Sequence, residues 1–224
     1  DFVDSDYIKR LYELMKESNA DISACGFITA LKNSFKFGIS EEKVFSYSGL
    51  QALEEMHKRI SVMPWGKLYK RRIFDGIYFP LGKAHEDEFV MYKLFYRAKK
   101  ITFTTRPMVY WRKRNNSVTG GGLIIKDYLE ALLEEAEFFR DIGLIKLSDK
   151  VCKLAFTSCF FGTKRKEEFK NPGGLNKHRN NLNKLRKYLR NSNQKIKCKI
   201  FYEIYFIMPG MVDFVRKIKK NHKY

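Results

Sequence analysis

"DFVDSDYIKRLYELMKESNADISACGFI" occupies residues 1 to 28, and its reading decides the fold. The apolar pair Phe2-Val3 gives way to the acidic triplet Asp4-Ser5-Asp6, after which Ile8, Leu11, Leu14 and Met15 recur at the spacing of one helical face. Asp6 stands where a helix N-cap belongs. "ADISACGFI", residues 20 to 28, then reads as a short buried strand. Two carboxylates therefore sit at a strand end, on a loop that enters a helix within an α/β unit.

Working outward, Gly38 and the polar stretch to Glu42 predict a turn, and Ser48 predicts the cap of a second helix through Leu50, Leu53 and Met56. Residues 63 to 89, "MPWGKLYKRRIFDGIYFPLGKAHEDEF", hold too many Pro and Gly residues for one element, yet they concentrate aromatic, basic and acidic side chains, as the wall of a site does. From "HEDEF" onward a helix is expected, with Phe89, Tyr92, Lys93 and Tyr96 in register. "KITFTT" and "MVYWRKR" predict two strands. The alternation indicates a mixed α/β sheet over residues 1 to 118. Beyond the Gly120 region helical periodicity dominates, so residues 119 to 224 are expected to be mainly α-helical, with a break at "KNPGGLNKH", residues 170 to 178.

Charge separates these parts as well. The net charge is +19; residues 163 to 224 carry 18 Lys or Arg against 4 Asp or Glu, a net of +14, which leaves +5 for residues 1 to 162. A mildly basic globule followed by a strongly basic tail predicts a polyanionic partner, an anionic membrane or a nucleic acid. No helix-turn-helix, RNP-like, KH-like or zinc signature supports the nucleic-acid reading. Cys25, Cys152, Cys159 and Cys198 lack zinc-ligand spacing and are expected to be buried or idle thiols. The most apolar stretch, "IFYEIYFIMPGMVDFV", is interrupted by Glu203, Pro209 and Asp213 and falls short of a bilayer span. Lysines and arginines flanking its aromatic residues predict attachment to the cytoplasmic face of a membrane, with packing on the globular part as the competing reading.

Four clusters can carry chemistry. Asp4 and Asp6 offer hard oxygen ligands to Mg²⁺ or Mn²⁺ on a diphosphate, the alternative being that Asp6 only caps a helix. Glu86, Asp87 and Glu88 offer a carboxylate able to take a proton from an acceptor hydroxyl, or serve only the positive end of a helix dipole. Trp65 and Tyr69 can stack on a sugar while Lys67 neutralises phosphate. Arg112 and Arg114 can pair bidentately with phosphate.

Taken in order, "FVDSDY", "WGKLYKRRIFD", "FPLGKAHEDEF" and "YWRKRNNSV" resemble the carboxyl-terminal half of the catalytic domain of family 2 glycosyltransferases, nearest to bacterial enzymes that build capsular and other surface polysaccharides. The resemblance runs from residue 1 to about residue 118. HEDEF following W-x-K-L-Y is its most specific element. It implies an incomplete GT-A fold and inverting transfer from a nucleotide diphosphate sugar to a glycan or lipid-linked acceptor. Asp4 and Asp6 would be its DxD motif, holding Mn²⁺ or Mg²⁺. Asp87 would be the general base with Glu86 beside it, His85 and Trp65 would line the acceptor side, and Arg112, Arg114 or Lys67 would contact the donor phosphates. Tyr7 stands where the family usually has a further acid. The family's nucleotide-binding first half precedes the DxD, so this chain by itself is expected to lack transferase activity. Two rival readings are a carboxylate-pair hydrolase using Asp87 with an Asp of the opening motif, and a non-catalytic remnant of a transferase.

Overall fold

The computed structural model describes residues 1–30, 41–56, 58, 60–112, 125–161 and 172–208. The chain divides into two compact units, Asp1–Gly122 and Leu123–Tyr224.

The first unit is a five-stranded mixed sheet with helices. β1 (Phe2–Val3), β2 (Ile22–Ala30), β4 (Lys67–Tyr69) and β5 (Lys100–Arg112) lie in the order β1-β5-β2-β4, and β3 (Val44–Ser48) also pairs with β5. β2 and β5 run parallel, whereas β1 and β3 pair with β5, and β4 with β2, in antiparallel register. Helix α1 (Tyr7–Ser18) joins β1 to β2. Its Leu11, Leu14 and Met15 are buried as their spacing requires, and Leu11 and Leu14 meet Cys25, Met108 and Val109 of the two parallel strands in one apolar cluster. The helix ends at Asn19 in the left-handed conformation, whose N–H closes back on the Lys16 carbonyl.

Helix α2 (Gly49–Glu55) starts with a capping box: the Gln51 N–H donates to Ser48 Oγ while the Ser48 N–H donates to the Gln51 side chain. Leu53 and Met56 are buried, but Leu50 is exposed. α2 contacts α3 (Met91–Arg97), and Gly49 makes the approach possible, because a Cβ there would lie 2.4 Å from the Ala98 carbonyl oxygen and 2.5 Å from that of Phe95. Below the sheet order, one buried charge ties three strand ends together. Asp21, 3% exposed, accepts from Arg72 at 2.6 Å, from Lys70 at 3.3 Å and from the Lys99 N–H at 2.9 Å.

Several expectations are corrected here. "KITFTT" and the "MVYWR" of the second expected strand belong to one strand, β5, which crosses Pro107 because β2 shifts register between Cys25 and Phe27 and relieves the ladder there. The HEDEF acids lie in turns ahead of α3 rather than in its first turn, since His85 takes the left-handed conformation with φ of 58°. β3 carries no strong sequence signal, and β4 lies inside the stretch expected to form a wall. The predicted turn at Gly38 falls outside the described residues.

The second unit consists of α4 (Ile125–Asp141), α5 (Ile145–Phe161), α6 (Pro172–Asn191) and α7 (Ile196–Ile207). Gly143, with φ of 78°, turns α4 into α5. Residues 172 to 178 of the expected break are helical, because α6 begins at Pro172, a position where the missing N–H of proline costs nothing. Arg186 and Arg190 of α6 grip Glu203 of α7 at 2.6 and 3.0 Å, and these hydrogen bonds hold the carboxyl down to about 2. Cys152 and Cys159 are buried, like Cys25. Among the described residues, no helix is long and apolar enough to cross a membrane.

Candidate functional site

The acidic pair is built by a tight turn at the end of β1. The Asp4 N–H donates to the Met108 carbonyl at 2.9 Å, adding one rung to the β1-β5 ladder. Asp4 Oδ1 then accepts the Asp6 N–H at 2.9 Å, and its carbonyl accepts the Tyr7 N–H at 3.0 Å. Asp6 occupies the N-cap position of α1, yet its side chain makes no capping hydrogen bond and remains 60% exposed. The helix-cap reading therefore does not account for Asp6.

What faces the pair is a cation that sequence reasoning missed. Arg106 of β5 places a guanidinium nitrogen 3.2 Å from Asp4 Oδ2 and 4.0 Å from Asp6 Oδ2. The Arg106 N–H donates to the Thr104 hydroxyl at 3.1 Å, and that hydroxyl donates to Glu42 at 2.7 Å. Glu42 also accepts two bonds from Arg10 at 2.9 and 3.0 Å. Burial works against ionisation of Glu42, but Thr104, Arg10 and Arg106 prevail and hold its pKa below the usual value. Conversely, burial and then the charge of Asp4 push the Tyr110 hydroxyl upward. Among the described residues, no group of three or more His, Cys, Asp or Glu side chains is placed to hold a metal. Two carboxylates do suit Mg²⁺ or Mn²⁺ when phosphate oxygens supply the remaining ligands. Because Asp6 is exposed and spends no oxygen on a cap, the donor set fits such an ion.

The second acidic group stands just ahead of α3. Of the three HEDEF acids, Glu86 is exposed, Asp87 half-buried and Glu88 buried. Asp87 Oδ1 accepts the Glu88 N–H at 3.0 Å, and the Asp87 carbonyl accepts the N–H groups of Val90 and Met91, which fixes the residue at the mouth of α3. Its pKa is raised by burial, against the pull of the Glu88 N–H, with Glu86 pushing it further up and His85 opposing. A carboxylate made more basic in this way is better suited to accept a proton than an ordinary surface one.

β4 lies beside Asp87. Gly66, in the left-handed conformation, turns its carbonyl to accept the Cys25 N–H at 2.9 Å and so places Lys67 beside Ala24 in the sheet. Lys67 is buried and its ammonium donates to the Met63 carbonyl at 2.7 Å. Burial pulls its pKa down to about 7, opposed by Cys25 and by Asp87. On the other side, Tyr7, the residue after Asp6, packs near Trp65 and Leu68, and the backbone of Gly66 and Lys67 faces its hydroxyl. Tyr7, which follows Asp6, and Asp87 are therefore both neighbours of β4.

The remaining candidates distribute as follows. Trp65 is half-buried, meeting Phe27 edge-on at 5.1 Å and Trp111 at 6.4 Å, so an aromatic corner forms toward the carboxyl ends of β2 and β5. Tyr69 is not free to stack on a ligand, because its hydroxyl donates to the Pro64 carbonyl at 2.8 Å and its ring packs on Phe74 at 5.3 Å. Lys67 likewise points at Met63 and not at solution, which places it behind Asp87 rather than on a phosphate. Arg112 is exposed at the end of β5, its N–H held by Asp1 at 2.7 Å. Arg114 falls outside the described residues. The one signal that could have revealed Arg106 was its position in β5 ahead of Met108, and that position becomes informative only once β1 is known to pair there.

No family model matches the chain. Glycosyltransferase GlyA of Streptococcus pneumoniae is 28% identical over 136 residues, covering 53% of this chain and 18% of the relative. Glycosyltransferase GlyG of the same organism is 24% identical over 135 residues, covering 53% of this chain and 42% of the relative. The match thus spans less than half the length of either. Among solved structures, Staphylococcus aureus TarS 1–349 in complex with UDP-GlcNAc superposes with a TM-score of 0.57 at 15% identity, covering 84% of this chain and 54% of that one. A second TarS structure gives 0.54 at 15% identity, with 84% and 32% covered. By sequence this chain is similar to glycosyltransferases, and its fold, an α/β sheet followed by helices, matches about half of the TarS 1–349 structure.

Proposed function

We propose that this chain serves inverting, metal-dependent transfer of a sugar from a nucleotide diphosphate donor to an acceptor hydroxyl in bacterial surface-glycan synthesis, as a family 2 enzyme of the hexosyltransferase type. The observation that carries the reading is that one sheet unit holds two acidic groups of different character: the Asp4 and Asp6 pair at the end of β1, with Asp6 exposed, and a half-buried, more basic Asp87. The TarS neighbour's UDP-GlcNAc supports a nucleotide sugar as donor.

In this reading Asp4 and Asp6 hold Mn²⁺ or Mg²⁺, which when bound offsets the charge on the departing diphosphate. Asp87 removes the proton of the attacking hydroxyl, the step that inversion requires of a single base. Trp65, with Phe27 and Trp111 around it, offers the apolar face on which an acceptor sugar ring stacks, and His85 and Glu86 line the same approach. Arg112 and Arg114 serve the donor phosphates.

The test supplies the protein, expressed at the length of its own reading frame, with Mn²⁺ and a panel of UDP-, GDP- and dTDP-sugars. Released nucleoside diphosphate reports turnover, and proton NMR of the product reports the anomeric configuration. Inversion that disappears in Asp87→Asn is the expected result; retention, or undiminished turnover in that variant, overturns the assignment.

A further inference from the structure

We propose that the outer face of α7 is a membrane-docking ridge that enters the headgroup region of an anionic bilayer. This inference concerns the helical unit and stands apart from the transfer chemistry.

Helix α7 is apolar on both sides. Its inner side is satisfied: Tyr202 is buried, and Phe156 of α5 meets Tyr202 at 4.5 Å, Tyr205 at 5.0 Å and Phe206 at 6.1 Å. Glu203 locks that orientation through Arg186 and Arg190, and the Tyr205 hydroxyl donates to the Cys159 carbonyl at 3.2 Å. The opposite side presents Ile196, Ile200, Ile204 and Ile207, spaced by about one turn each and exposed at 74, 55, 42 and 65%, and Met208, 52% exposed, follows at the helix end. Isolated surface isoleucines need no explanation; four in one stripe on a helix whose rotation is fixed do.

Charge identifies what covers the stripe. Lys195, Lys197 and Lys199 crowd the start of α7, where no acidic residue stands in the first turn. That is the positive end of the helix dipole, so these lysines weaken the helix, and Lys195 and Lys199 repel each other at i,i+4 spacing. An external anionic surface turns both penalties into attraction. The exposed Arg190 and the +14 net charge of residues 163 to 224 carry the same sign. The stripe is a convex ridge about 18 Å long, the length of 12 helical residues. A ridge of this kind suits a fluid apolar phase, which closes around it without needing a complementary groove, and its length lays it in the membrane plane rather than across it.

The experiment is flotation of the protein with vesicles of phosphatidylcholine alone or mixed with phosphatidylglycerol. Binding only to the anionic vesicles is expected, weakened by added salt. Lys195→Gln with Lys197→Gln should lower affinity roughly 25-fold, at about fivefold per basic residue near an anionic surface. Ile200→Glu with Ile204→Glu, at exposed positions that leave the Phe156 contacts and the circular dichroism unchanged, should lower it at least about tenfold. Equal binding to neutral vesicles, or undiminished binding by the isoleucine variant, overturns the proposal. So does a dimer that ignores vesicles and dissociates in the isoleucine variant, since the ridge then belongs to a second copy.

Discussion

Removing Arg106 should tighten metal binding at the acidic pair. In the structure the guanidinium lies 3.2 Å from Asp4 and 4.0 Å from Asp6, so a divalent cation arriving there must displace it. At an effective dielectric of about 20 the gross attraction at the shorter distance is about 5 kcal/mol. Arg106 is 35% exposed and Asp6 60%, so screening and competing hydration reduce this sharply. A net value of about 1–2 kcal/mol remains, between that of a surface ion pair and that of a charged hydrogen bond. Since about 1.4 kcal/mol is a factor of ten, Arg106→Ala should bind Mn²⁺ roughly 5- to 30-fold more tightly. Titration followed by loss of the free Mn²⁺ EPR signal measures this directly, with Asp4→Asn/Asp6→Asn as the variant that abolishes binding and thermal melting as the check on folding. Unchanged or weaker Mn²⁺ binding by a folded Arg106→Ala would refute the view that the guanidinium occupies the place of the metal.

Further outcomes are expected at Asp87, Asp21 and Gly49. Asp87→Asn should lower turnover by about 10²- to 10⁴-fold, as loss of a general base does. In the unaltered enzyme, activity should fall with decreasing pH through a midpoint above the ordinary carboxylate range, because Asp87's pKa is raised and protonation removes the base; a midpoint at or below the usual aspartate value argues against that role. Asp21→Ala removes the shared partner of Lys70, Arg72 and the Lys99 N–H and should cost about 1–3 kcal/mol in urea unfolding, since the two cations left behind are 30% and 61% exposed. Burial opposes ionisation of Asp21, but the Lys99 N–H, Lys70 and Arg72 outweigh it and lower its pKa, so its stabilisation is complete above the ordinary aspartate value of 3.8 and is lost as pH falls through the lower folded value. An acid-unfolding curve for Asp21→Asn parallel to that of the unaltered protein would contradict this. Gly49→Ala should destabilise by about 1–3 kcal/mol or more, because the new methyl meets two backbone oxygens that cannot rotate away; a neutral melting temperature would show that α2 and α3 separate more easily than their packing implies.

Elements with local causes were legible in the sequence. The side chains that bury α1 recur every three or four residues, the Ser48 cap finds its partner three residues on at Gln51, and β2 is a continuous small and apolar run. Each signal arises within one turn or one strand, so no distant residue needs to be known. The acidic pair and Asp87 were visible as residue types in a suggestive order. Which of the HEDEF acids is the more basic was not visible, because that follows from how deeply each one is buried.

Only the tertiary structure decided the rest, and in each case the cause is a partner far along the chain. β5 is continuous across Pro107 because β2, some 80 residues earlier, shifts register opposite it. Lys67 is drawn inside by the pairing of β4 with β2, which converts an apparent phosphate ligand into a neighbour of Asp87. Arg106 finds Asp4 across 102 positions because β1 adds to the edge of β5. Sequence by itself determined which side chains were available and how each short segment would curl. Pairing and burial, which depend on three-dimensional neighbours, determined which charges meet and how strongly they hold their protons.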